Sequence, residues 1–186
     1  RPFLAVSFKI SMNSFKTSGW LSSIKFKQRG ILKGDVHPIG NVFSGNVNFK
    51  IPAYQRPYQW DSSLWQGLLS DIAQIDSRKV SSKHWLGILL TSQESSTFGK
   101  TVHKIIDGQQ RSVTLRLWLA ALEHHLAENF GKSHPRLGIS KLAQIDVQES
   151  DSRAFELALT GDWRSPEAFR LMDSRVLRAY SYFRFM

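Results

Sequence analysis

One handover of the chain constrains this sequence more than any other. At residues 103–114, HKIIDGQQRSVT, the apolar pair Ile105-Ile106 runs straight into Asp107-Gly108, and a long leucine-rich stretch follows. TVHKII has the β-branched content of a strand. From about Ser112 to Phe130 apolar residues return at helical spacing, with Leu115, Leu119, Leu122 and Leu126 on one face. Gly108 permits the turn between them, because it tolerates backbone angles that bulkier residues resist. The chain must therefore set a strand beside a helix and gather an acid, two amides and a guanidinium at their junction.

The neighbouring segments extend this to an α+β reading. Val47, Phe49 and Ile51 alternate with polar residues, as in a half-buried strand, and Pro52 closes it. IPAYQRPYQW, residues 51–60, is irregular, since Pro52 and Pro57 remove backbone donors and fix φ. Asp61-Ser62-Ser63 caps a helix whose apolar face is Leu64, Trp65, Leu68, Leu69, Ile72 and Ile75. HWLGILLT, residues 84–91, reads as a buried strand. A polar loop, SQESSTFGK, joins it in a hairpin to TVHKII. GKSHPRLG is a loop. Two further helical patterns surround DSRAFELALTG and SPEAFRLMDSRVLRAYSYF, with Asp151 and Ser165-Pro166 at their starts. Val176, Leu177, Tyr180 and Phe183 share a face of the last one, and no C-cap follows Met186, which reads as a fragment of a longer protein.

Turn residues cluster at Gly34-Asp35, Pro38, Gly40-Asn41 and Ser44-Gly45-Asn46. Residues 1–33 are basic and rich in Ser and Phe without a sustained period; they suit an arm, a short β element or an extension. The chain thus divides into a basic N-terminal extension (1–33), a mixed core (34–135) and a helical region (136–186).

Of the 186 residues 41% are hydrophobic, enough for a packed core. The absence of cysteine excludes disulfides, thiolate chemistry and Cys-based zinc sites, and fits a reducing cytoplasm. No apolar run approaches the roughly 18–20 residues of a membrane span. The net charge is +10. Arg1, Lys9, Lys16, Lys25, Lys27, Arg29 and Lys33 all precede the first acid, Asp35. Such a surplus favours a polyanion such as DNA, though a solvated basic surface has the same composition.

A strand, a glycine turn and a helix N-terminus make an anion site, because free N–H groups and the helix dipole point at the ligand. Arg111 adds a forked donor for phosphate oxygens. Gln109 and Gln110 suit a ribose, a base edge or a water. Asp107 suits a divalent cation held through water, or a nucleophilic water. A second constellation, Tyr54-Gln55-Arg56 with Tyr58 and Trp60, offers stacking faces and another guanidinium. The plain alternative is a turn with solvated side chains beside a packed aromatic loop. Adjacent histidines on a helix diverge by about 100°, so His124-His125 is read as structural. No Walker-type loop, HEXXH, GXSXG or zinc-finger pattern is present.

IPAYQRPYQW, HWLGILLT and HKIIDGQQRSVTL, in this order, resemble the N-terminal domain of GmrSD-type restriction endonucleases, shared by phosphorothioate-sensing defence proteins. The resemblance runs from about Ile31 to Phe183. It implies a ParB/sulfiredoxin-like fold: a small mixed sheet packed with helices and followed by a helical region. It also implies binding and hydrolysis of a nucleoside triphosphate (GTP, UTP or ATP) with Mg2+ or another divalent cation, coupled to cleavage of modified foreign DNA. By this resemblance Gly108, Gln109, Arg111 and Thr114 bind nucleotide together with Tyr54, Gln55 and Arg56. Asp107, Gln110 and Arg111 are the catalytic candidates, and Asp107 is the metal candidate. Ser112-Val113 stands where leucine is usual. Relatives continue into a second domain, often with an HNH motif that this chain lacks, so a C-terminal or separate nuclease domain is an expected partner. The rival reading is a non-catalytic DNA-binding or assembly module of the same defence system.

Overall fold

The computed structural model describes residues 3–10, 32–43, 47–74, 84–97, 100–130 and 143–186. Its strands are β1 (Phe3–Ile10), β2 (Leu32–Pro38), β3 (Val47–Lys50), β4 (His84–Thr97), β5 (Lys100–Asp107) and β6 (Ile145–Asp146). They form one mixed sheet in the order β2-β1-β4-β5-β3-β6. The β1–β4 and β4–β5 pairs are antiparallel; β1–β2, β3–β5 and β3–β6 are parallel. The helices are α1 (Ile39–Val42), α2 (Ser62–Ala73), α3 (Gln109–Phe130), α4 (Glu149–Thr160), α5 (Pro166–Arg170) and α6 (Arg175–Phe185). The fold is α+β, as the sequence patterns require.

The three-way division of the sequence is not a division of the sheet. Within the basic span 1–33, β1 lies between β2 and β4, and β6, inside the helical region, pairs with β3. Chain-distant pairing supplies what local periodicity does not reveal. Two expected irregular stretches are also ordered. The turn-rich residues 34–38 are strand, paired with β1, and Pro38 is tolerated because β2 is an edge. The expected loop SQESSTFGK is largely ladder, with β4 running to Thr97 and β5 starting at Lys100. An antiparallel ladder needs no apolar side chains on its solvated face, and Glu94 there pairs with Lys104 at 3.1 Å.

Asp61 caps α2 as expected, its carboxylate accepting the N–H groups of Ser63 and Leu64. Trp65 and Leu68 are buried, but Leu64 faces solvent, and Ile75 lies outside the described residues. So does the expected loop 131–138. The last helical pattern is two helices, α5 and α6. Asp173-Ser174 favours a cap over a helix interior, and Ser174 N–H donates back to Leu171 O at 2.8 Å. Val176, Leu177, Tyr180 and Phe183 are all buried, as their spacing predicts.

Helix α3 organises the core. Leu115 and Leu117 are fully buried, with Val113, Ala120 and Ala121 beside them, whereas Leu119, Leu122 and Leu126 are half-buried. The buried surface is broader than one leucine stripe because α3 meets both α4 and α6.

Candidate functional site

Helix α3 starts at Gln109, one turn earlier than the leucine pattern suggests. Gln109, Gln110 and Arg111 therefore form its first turn and not a loop. Asp107 ends β5 exposed, and one of its oxygens accepts Gly108 N–H at 2.8 Å. Gly108 has φ +91°, and a Cβ there would lie 2.7 Å from Ile88 O. The turn thus demands glycine for both conformation and space.

The PAYQRPY loop lies directly on this corner. Gln55 Nε2 donates to Ile106 O at 2.9 Å, joining the loop to the end of β5. Gln110 clamps it further along: Nε2 donates to Pro57 O at 3.0 Å, and Oε1 accepts Gln59 N–H at 2.7 Å. Behind the clamp runs a chain of hydroxyls. Thr114 Oγ1 donates to Gln110 O at 2.8 Å. A hydroxyl has one proton, so in the 2.7 Å pair Tyr58 must donate to Thr114. Tyr58 Oη in turn accepts Trp65 Nε1–H at 2.8 Å. Burial pushes the Tyr58 phenol well above its ordinary range.

These bonds revise two expectations. Thr114 is fully buried, and Gln110 is buried with both ends of its amide engaged. Through these bonds both hold the corner together. Tyr54 and Arg56 are exposed, and Arg56 Nη1 reaches Gln59 Oε1 at 3.4 Å.

Arg111 is half-buried. Its guanidinium stands 6.0 Å from the centre of the Trp60 ring and lies against Gly87 of β4. Among the described residues it makes no hydrogen bond or ion pair. A partly desolvated guanidinium with free donors, beside the first N–H groups of a 22-residue helix, is a strong anion attractor.

The chain matches the family model of the GmrSD restriction endonuclease, N-terminal domain, over residues 39–184. It belongs to that family. No curated protein matches the chain. Membership places this GmrSD-type domain in a DNA-restriction defence system. The matched span takes in the whole corner but begins after β1 and β2.

Helix α4 supplies residues that the two motifs do not contain. Asp151 Oδ2 accepts Tyr58 N–H at 2.7 Å, and Gln148 Nε2 donates to Pro52 O at 3.3 Å. Arg175, at the start of α6, donates to Gln59 O at 2.6 Å. Burial raises the Asp151 carboxyl above the usual range, partly opposed by the Tyr58 N–H. In the sequence Asp151 signals only a helix start. Gly87 was more legible, since an isolated glycine inside an apolar strand marks a close approach.

Among the described residues no cluster of three or more His, Asp or Glu could hold a metal ion. A cation here would need oxygens from its ligand and from water, which is the habit of Mg2+. No described helix is long and apolar enough to cross a membrane.

Proposed function

We propose that this domain binds and hydrolyses a nucleoside triphosphate and thereby controls DNA cleavage by a nuclease domain. The observation that carries the reading is Arg111: a half-buried guanidinium, without a hydrogen bond or ion pair among the described residues, at the N-terminus of α3. Phosphate oxygens fit both the fork and the amides of Gln109, Gln110 and Arg111. Arg56 stands across the corner as a second cation for the charge that develops on phosphoryl transfer. Gly108 lets the turn pack against Ile88 and Leu89 of β4, which sets where the N-terminus of α3 stands. Asp107 has one oxygen on Gly108 N–H; the other, without a hydrogen bond among the described residues, can hold a water, either the attacking one or one on a cation. A divalent cation would neutralise phosphate charge. Gln110 and Thr114 act indirectly by fixing the PAYQRPY loop.

The test is isothermal titration with ATP, GTP and UTP, alongside phosphate release with Mg2+. The parent should bind at least one triphosphate and release phosphate. Arg111→Ala should lose binding while keeping its unfolding transition. Equal affinity in parent and variant would remove Arg111 from the site.

A second reading, a DNA-binding or assembly module without turnover, is favoured by the net charge of +10. DNA affinity falling with a slope of about −0.9 per neutralised phosphate in log K against log salt, without phosphate release, would select it.

A further inference from the structure

The N-termini of α3 and α4 converge on a gap of about 10 Å³ lined by Arg56, Tyr58, Gln109, Gln110, Gln148 and Asp151. Gln109 begins α3, and Gln148 caps α4. Only 7% of Gln109 is exposed, and its Oε1 is buried without a hydrogen-bond partner among the described residues. A buried acceptor left unpaired is costly, and native proteins rarely keep one without a ligand or water to serve it. Beside it, the half-buried Asp151 carboxylate has Tyr58 N–H on one oxygen. Gln109 and Asp151 thus both line a space that admits about one water-sized group. The positive helix ends and Arg56 disfavour a bare cation there. The complement is a neutral hydroxyl donor on a molecule whose anionic part lies on the helix ends.

We propose that Gln109 Oε1 accepts the proton of a ribose hydroxyl beside Asp151, and so makes this corner selective for ribonucleotides over deoxyribonucleotides. The assignment rests on the triphosphate reading and specifies its sugar. A hydroxyl fits the gap; a base does not. Removing the hydroxyl from the ligand would leave Gln109 Oε1 to a trapped water or to nothing, and sites built on buried polar groups reject such analogues. Gln109 Oε1 gains its partner only from the ligand or from water, so its burial opposes stability in the empty protein.

The experiment titrates the whole chain with the triphosphate it binds best and with the 2′-deoxy and 3′-deoxy forms of that compound. One deoxy form should bind about tenfold more weakly or worse. Gln109→Met removes the orphan acceptor at similar volume, and Asp151→Asn keeps an oxygen for Tyr58 N–H. Gln109→Met should shrink the ribose preference to about threefold or less and melt no lower than the parent, and Asp151→Asn, which alters a neighbour of the hydroxyl, should shrink it less. Parent binding of ribo and deoxy forms alike would overturn the inference and leave triphosphate binding standing. A preference that survives both substitutions would overturn the assignment to these residues. If the parent binds no triphosphate at all, the underlying reading fails and this one with it.

Discussion

A Cβ on Gly87 would lie 2.9 Å from Cζ of Arg111. The strand residue is a glycine because the guanidinium of the corner occupies the space where a side chain would stand. Gly87 also has φ +107°, which L side chains rarely adopt. Gly87→Ala should therefore cost about 1–3 kcal/mol and displace Arg111 as well. Urea denaturation should register the first effect and triphosphate titration the second. An alanine variant with unchanged stability and affinity would mean that Arg111 does not need this cradle.

The hydroxyl chain predicts coupling. Tyr58→Phe leaves Trp65 Nε1–H without its acceptor in a buried place. The loss should be about 1–3 kcal/mol, the usual cost of an unpaired buried donor. Thr114→Val removes the next link. Because the two hydroxyls bond each other, the double variant should lose less than the sum of the single losses. A double-mutant cycle in urea gives the answer, and strict additivity would disprove the chain.

The basic first segment should prove structural. Deleting residues 1–30 removes β1 from between β2 and β4. The β4 edge would then lie unpaired, and exposed edges invite aggregation. The shortened chain should lose cooperative unfolding or precipitate, whatever its affinity for DNA. A shortened chain that melts like the parent would show that β1 is dispensable to the sheet.

Acid should weaken the fold through histidine. Burial lowers the folded-state affinity of His103 and of His124 for protons. His103 Nδ1 meets Thr91 Oγ1 at 3.2 Å, and His124 Nδ1 meets the Tyr180 hydroxyl. A group whose pKa is depressed on folding in this way favours its neutral form. Its contribution is complete above the unfolded value near 6.5 and fades as pH falls through the folded value. Urea midpoints should drop between pH 7 and pH 5, and His124→Gln should reduce the drop. An undiminished drop in that variant would assign the effect to other groups.

Several features were legible in the residues alone because they are local. Alternation in VNFKI, the Asp61 cap, the hairpin partners and the face of α6 each depend on neighbours a few positions away. So does the glycine turn between β5 and α3. What the residues could not disclose is which polar groups meet. Gln110 and Thr114 sit in the motif beside Arg111 and look equally available, yet packing of the PAYQRPY loop engages the first two and leaves the guanidinium without a hydrogen bond or ion pair among the described residues. The helical period also ran one turn short, because Gln109 and Gln110 are polar residues that enter the buried face by hydrogen bonding and not by hydrophobicity. Asp151 reaches Tyr58 across 93 positions, and β1 pairs with β4 although four other elements lie between them in the chain. Local composition and spacing determined the elements and the charge at their junction. Only the tertiary structure decided which of those polar groups are paired, because hydrogen bonds between distant segments are satisfied by the fold as a whole.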